Sequence, residues 1–417
     1  MSPTQLEFSP LLAAGFATSA YVVALAFAQV MLKFPLFRGA LTTGASRYGA
    51  LDGLRGLLAL GVLVHHSFTA YVYATQGRWD WSHSAVLNQL GQTTVALFFM
   101  ITGFLFTVKA TQTRIDWAQL YASRMARLLP LYAALVMVLF GLVMHLSGWQ
   151  LNETPGRLVQ ELFQWLTFVV FGRPDINAYP MTWTIIAGVN WSLKFEVCFY
   201  LVGIPALHLF AKQVPRHRAV FVSLPVLVTL LLYRHVGHFE GGNSLFAAHF
   251  LGGIVAAHML AHPALTSAIS STPFKALAVA AVGVLATSTQ AYELWPTVAT
   301  IVVFLSVLGG ASLFGLLYSR AAVWLGDVSY GIYLLHGMAL WFVLHAVITP
   351  QRLGDISLGM YWTHVMSVAM AVTWLAGISY ATMERPIMQQ QSRRRRAMAE
   401  APPPVVSDPD SVIEQPS

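Results

Sequence analysis

LDGLRGLLALGVLVHHSF, residues 51–68, decides what kind of protein this is. Apart from Asp52, Arg55 and a histidine pair the run is almost wholly apolar, and its length is about that needed to cross a bilayer. An ionisable side chain inside such a span is costly, so it faces a cavity or a partner rather than lipid. Arg55 and His66 are eleven positions apart in the chain. That spacing is about three helical turns, which puts them on one face roughly 16 Å apart along the axis. Asp52, one turn before Arg55, is placed to pair with it. His65 points about 100° away from His66, so the two do not share one site.

The rest of the chain has the same character. Of 417 residues, 56% are apolar and 10% charged, against about 25% charged in a soluble domain. A mean hydropathy of +0.62 agrees. This composition excludes a cytosolic enzyme, a disordered chain and a polar nucleic-acid reader. The lone cysteine, Cys198, excludes a disulfide framework and a paired-cysteine metal site. Apolar stretches run roughly over 8–32, 51–71, 90–108, 128–147, 191–211, 219–233, 244–261, 276–292, 296–318, 328–349 and 359–382, predicting an all-α membrane bundle of about eleven spans. A further stretch, 158–172, is short and carries Glu161 and Gln164.

Charge placement settles that stretch. If it does not cross, the segments on one side hold seventeen Lys and Arg and those on the other five. If it crosses, the split is ten against twelve. Basic residues concentrate on the cytoplasmic side, so 158–172 is expected to be re-entrant or interfacial, with the N-terminus outside and the C-terminus inside. Residues 388–417, with four consecutive arginines and a run of prolines, are expected to form a disordered cytoplasmic tail.

Four more segments place polar groups in or beside spans. VALFFMITGFLF has Thr102 and Gly103 at its centre, a pair that by itself signals close helix packing. YASRMARLLPLY sets Arg124 and Arg127 one turn apart at a basic helix start, either obeying the positive-inside rule or clamping a phosphorylated ligand. WSLKFEVCFYL aligns Ser192 with Glu196, a glutamate more than a turn inside the membrane, while Lys194 faces elsewhere. GDVSYGIYLLH aligns Ser329, Tyr333 and His336 on one face.

Taken together, these segments resemble the acyltransferase family 3 of integral-membrane acyltransferases. Arg55 with ten residues before His66 is similar to that family's Arg–His signature. FFMITGFL resembles its Phe-Phe…Ser-Gly-Phe-Leu element, with Thr102 in place of the usual Ser. RMARLLPLY is similar to its Arg-x-x-Arg stretch, and Trp191, Ser192 and Glu196 to its Trp-Ser-Leu-x-x-Glu element. Ser329, Tyr330, Tyr333 and His336 match the late Ser-Tyr…Tyr-Leu-x-His element, and Glu384-Arg385-Pro386 the closing Glu-x-Pro. The resemblance divides the chain into an extra N-terminal span and linker (1–46), an acyltransferase membrane domain (47–387) and the tail. No SGNH-type hydrolase domain is expected after the membrane domain.

The resemblance implies O-acylation in a bacterial cytoplasmic (inner) membrane. An acyl group, commonly acetyl, moves from acyl-coenzyme A to a hydroxyl of a carbohydrate or glycolipid. Acyl-coenzyme A is a substrate, so no permanently bound cofactor, metal or nucleic-acid partner is expected. His66 is then base or nucleophile, Glu196 its charge-stabilising carboxylate, and Arg55, Arg124 and Arg127 the donor's phosphate ligands. Asp52, Thr102, Trp191, Ser192, Tyr330, Tyr333 and His336 are supporting residues. The long segment 148–190 presents Trp149, Trp165 and Trp183, either as membrane-belt residues or as a platform for sugar.

The other function classes fit less well. A glycolipid or small-anion transporter usually shows inverted repeats and paired broken helices, and the sequence has neither. A purely structural membrane protein has little reason to keep Arg55, His66 and Glu196 inside the bilayer. His235 and His238 have metal-ligand spacing beside Glu240, but no carboxylate or thiolate arrangement completes a set.

Overall fold

The computed structural model describes residues 10–38, 48–80, 84–112, 115–237, 243–349, 351–353, 355–387 and 389–390. The tail beyond residue 390, Arg47, His238 and Glu240 therefore lie outside the described residues. In chain order the helices are α1 (Pro10–Met31), α2 (Pro35–Arg38), α3 (Gly49–Gln76), α4 (Ala85–Ala110), α5 (Trp117–Leu146), α6 (Pro155–Leu166), α7 (Asn190–Cys198), α8 (Ile204–Gln213), α9 (Ala219–Val236), α10 (Asn243–Met259), α11 (Pro263–Ser270), α12 (Thr272–Thr287), α13 (Leu294–Leu308), α14 (Arg320–Asp327), α15 (Ser329–Phe342) and α16 (Leu358–Ser379). Wide π turns at Phe199–Gly203, Val343–Val347 and Tyr380–Glu384 join α7 to α8 and extend α15 and α16.

Each of the eleven apolar stretches lies on a helix. Among the described residues, eight helices are long and apolar enough to cross a membrane. The other three stretches form α10, which bends by 112° into α11, and the shorter α12 and α13. The stretch read as 296–318 is helical only to Leu308. The segment at 158–172 begins within the twelve-residue α6, which ends at Leu166, and continues in turns, well short of a span. Thr154 caps α6 by accepting the Arg157 N–H, and Pro155 occupies its first turn.

Helix α3 is the centre of the bundle, packed by α4, α14 and α15. Its contact with α14 is backbone on backbone: a Cβ built on Gly326 would lie 1.9 Å from the Asp52 carbonyl oxygen. The α4–α10 crossing is equally tight. A Cβ on Gly103 would sit 2.3 Å from the Phe250 carbonyl, and one on Gly253 2.0 Å from that of Met100. The extra N-terminal helix α1 turns Ala13, Ala17, Ala20, Ala24 and Ala28 into the core. There the Trp362 indole N–H donates to the Phe16 carbonyl (3.2 Å) and to Ser19 Oγ (3.1 Å).

The segment between α5 and α7 folds back onto one end of the bundle. Glu161 is 2% exposed and pairs with Arg157 at 3.3 Å. Its other oxygen accepts the Asn177 N–H at 3.0 Å. Trp165 is fully buried, donating to the Pro174 carbonyl while its own carbonyl accepts from Tyr132. Trp165 is therefore a packing residue rather than part of a sugar platform.

Candidate active site

The basic end of the bundle holds a cavity of about 120 Å³ between α3, α4, α5, α7 and α15. Arg55, Thr102, Arg124, Arg127, Ser192, Glu196, Tyr330 and Tyr333 all line it, as do Ser329 and Tyr200. Five segments scattered over 280 residues of sequence thus meet at one place. Helical periodicity explains why: Ser192 and Glu196, and Ser329 and Tyr333, each project from one helix face.

The cavity is cationic. Three guanidiniums line it and Glu196 is the one carboxylate among its lining residues. The Arg124 guanidinium lies 5.1 Å above the Phe106 ring, and its Nε is buried without a hydrogen-bond partner. A buried donor left unsatisfied in a cavity wall suits an anionic guest. Arg55 Nη2 donates to Ser329 Oγ at 3.4 Å. The expected Asp52–Arg55 ion pair is not formed: among the described residues the one salt bridge is Arg157–Glu161. Asp52 instead presents its backbone carbonyl to Gly326, and the arginine reaches across to α15.

Hydroxyl groups tie the cavity walls together. Ser192 Oγ and Tyr333 Oη are 2.7 Å apart, and Tyr333 donates to the Val189 carbonyl at 3.0 Å. Tyr330 Oη donates to the Leu128 carbonyl at 2.6 Å, fixing α15 against α5. Tyr200, on the π turn after α7, donates to the Glu196 carboxylate. Trp191 does not line the cavity; it packs against Phe246 with ring centroids 4.9 Å apart.

His66 lies farther along α3, and its partner differs from the one expected. Its Nδ1 is 2.8 Å from His336 Nε2, with the two ring planes inclined by 17°. Glu196, expected to serve this imidazole, is hydrogen-bonded to Tyr200. His336 in turn lies 6.0 Å from the Tyr333 ring, so a continuous path of side chains runs from the cavity to His66. His65 is separate, as its angular position requires: it is buried, bonds the Leu87 carbonyl at 2.9 Å and packs on Gly91. Beyond His66, the Trp79 ring is 6.1 Å away, Trp183 stands edge-on to Trp79 at 5.3 Å, and Arg173 lies 4.7 Å over Trp183.

Two carboxylates near the arginines were not singled out as site residues by sequence. Glu384, on the last π turn, is buried with neither carboxylate oxygen hydrogen-bonded, and Arg127 and Arg55 act on it electrostatically. Asp327 closes α14. Burial, then the Asp52 carboxylate, push its carboxyl up to about 7 against the opposing pull of Arg55 and Arg127. The available signals were the Glu-x-Pro triplet and the Gly-Asp preceding Ser329.

A family model described as an acyltransferase domain matches residues 48–381. The chain belongs to acyltransferase family 3. No curated protein and no solved structure matches it. As a family member it is a membrane acyltransferase, and the match spans α3 to the last π turn, taking in every cavity-lining residue. Helix α1 precedes the matched region yet is packed into the bundle with α14 and α16.

Proposed function

We propose that this enzyme transfers an acyl group, commonly acetyl, from acyl-coenzyme A to a hydroxyl of an envelope or exported carbohydrate. The observation that carries the reading is that Arg55, Arg124 and Arg127 line one cavity, with the Arg124 Nε donor unsatisfied. Guanidinium forks suit the phosphates of coenzyme A. The cavity lies at the end expected to face the cytoplasm, where that donor is made, in a cytoplasmic membrane with the N-terminus outside and the C-terminus inside. From there the Tyr333–His336–His66 path leads toward the opposite end.

In this reaction the thioester C–S bond breaks and an ester C–O bond forms. The proton leaving the acceptor hydroxyl ends on the thiol sulfur. His66 is the group proposed to handle that proton, as base, or to carry the acyl group, as nucleophile. Glu196 is proposed to balance the arginine charge in the cavity rather than to bond the imidazole. The half-buried Trp79 and Trp183, with Arg173, form an aromatic rim beyond His66, and flat aromatic faces with a nearby donor suit a sugar ring. Trp183 thus belongs to the proposed acceptor side, whereas Trp149 is exposed and stands edge-on to His145.

The test is turnover per folded molecule in nanodiscs, followed by thiol release from acetyl-coenzyme A, alongside mass analysis of envelope carbohydrate from a deletion strain. His66→Ala is expected to abolish transfer while keeping its elution profile. His65→Ala is expected to lower stability but retain much of the turnover. Near-normal turnover in His66→Ala sinks the assignment.

A further inference from the structure

We infer that His336 is a positioning residue that holds His66 in the Nδ1–H tautomer and thereby leaves the Nε2 lone pair for the reaction. This rests on the reading that His66 is the reacting imidazole. Two observations fix the proton positions. His336 Nδ1 is 3.1 Å from the Ile332 carbonyl oxygen. A carbonyl only accepts, so Nδ1 of His336 carries a hydrogen, and in the neutral ring its Nε2 is the lone pair. That Nε2 is 2.8 Å from His66 Nδ1, which must therefore be the donor. His66 then has its remaining lone pair on Nε2, because the hydrogen bond made by one ring nitrogen sets the state of the other.

The arrangement is rigid. His336 is fully buried, its bond to Ile332 lies within its own helix, and the ring is flanked by Tyr333. On the α3 side the His65 ring is 5.0 Å from that of His66 but is committed to the Leu87 carbonyl. An imidazole without such a partner in water favours the opposite tautomer, with hydrogen on Nε2. His336 reverses that preference through a backbone carbonyl, much as a buried carboxylate does for other catalytic histidines.

The proton inventory closes. The acceptor hydroxyl gives its proton to His66 Nε2 as its oxygen attacks the thioester carbonyl. His66 is then an imidazolium whose Nδ1–H points at the His336 lone pair. When the C–S bond breaks, the Nε2 proton passes to the departing sulfur. The products are ester and thiol, and His66 returns to its starting tautomer. If the ring began with hydrogen on Nε2, it could accept nothing there.

The experiment is nitrogen-15 NMR of histidine-labelled enzyme in nanodiscs, with His66 assigned by its loss in His66→Ala, together with steady-state kinetics. Wild-type His66 is expected to show a protonated Nδ1 and an unprotonated Nε2. His336→Ala is expected to shift hydrogen to Nε2 and to lower turnover about a hundred- to ten-thousand-fold, with the KM for acetyl-coenzyme A unchanged. His336→Gln, whose side-chain carbonyl can accept from Nδ1–H, is expected to restore the tautomer and part of the turnover. Hydrogen on Nε2 in wild-type His66 overturns the inference, and that spectrum decides it even if His336→Ala fails to fold. A folded His336→Ala with the wild-type tautomer and turnover overturns it too. Full activity in His66→Ala instead removes the reading beneath it.

Discussion

Arg55 and Ser329, 274 residues apart in sequence, meet through a 3.4 Å hydrogen bond between Nη2 and Oγ. The guanidinium is thereby held in the cavity lining by a neutral partner, and among the described residues its charge is not consumed by an ion pair. A cation positioned by a hydroxyl keeps its affinity for an incoming anion, whereas one paired to a carboxylate must first give that pair up. Arg124 shows the same logic, held by the Phe106 face with its Nε left without a hydrogen-bond partner.

The first prediction follows from those arginines. Removing a charge-assisted phosphate contact forfeits about 1.5–3 kcal/mol, so Arg124→Ala and Arg127→Ala should each raise the KM for acyl-coenzyme A by roughly tenfold or more. The KM for acceptor should move far less. Donor titration by calorimetry checks this, and unchanged donor affinity in the double variant returns the pair to simple positive-inside placement.

Glu196 and Tyr200 are predicted to act as one unit, because the tyrosine donates to the carboxylate one turn earlier. Glu196→Gln keeps the shape and removes the charge that balances three guanidiniums; turnover should drop by about a hundredfold. Tyr200→Phe should lose less, and the double variant should be no worse than Glu196→Gln alone. Losses that instead multiply show that the two residues act independently.

Most of the framework was legible because bilayer thickness and helical period are strong constraints. Each of the eleven apolar stretches fell on helix, eight of them long enough to cross a membrane among the described residues, and the i, i+4 rule put Ser192 with Glu196, and Ser329 with Tyr333, on one face toward the cavity. Periodicity names a face, however, and not what lies opposite it. The His66 partner is 270 residues away on α15, so nothing local in LDGLRGLLALGVLVHHSF could reveal it. Asp52 and Arg55 failed to pair for a related reason: the spacing allows it, but the close α3–α14 contact and the nearby Ser329 redirect the arginine. Trp165 was misread because its indole finds a carbonyl partner inside its own loop.

Topology gives a third prediction. Asn177 is fully buried and bonded to Glu161 and Gln150, so it is a poor labelling site. The exposed Gln160, Gly77 and Gln213 are better. In a Cys198→Ala background, cysteines at Gln160 and Gly77 should react with an impermeant maleimide applied to whole cells. One at Gln213 should react only after permeabilisation. Outside labelling of the Gln213 site means that the segment holding α6 crosses, and the orientation proposed here fails.

The last prediction concerns Asp327, whose carboxyl burial raises from 3.8 to about 7. A carboxyl raised in the folded protein keeps a proton that the unfolded chain has already lost. Between pH about 4 and about 7 the native state therefore binds more protons than the unfolded state, and stability falls as pH rises through that window. The contribution is complete below the unfolded value and gone above the folded one. Arg55 and Arg127 pull the other way, so strengthening the local negative charge, not removing it, should steepen the fall. Asp327→Asn keeps the side chain neutral at every pH and should flatten this part of the profile while raising stability at pH about 8 relative to wild type. Thermal midpoints of detergent-solubilised protein across that range, read by tryptophan fluorescence, are the measurement. Parallel profiles for wild type and Asp327→Asn would show that the carboxyl stays ionised through the whole range and that the arginines, not burial, govern it.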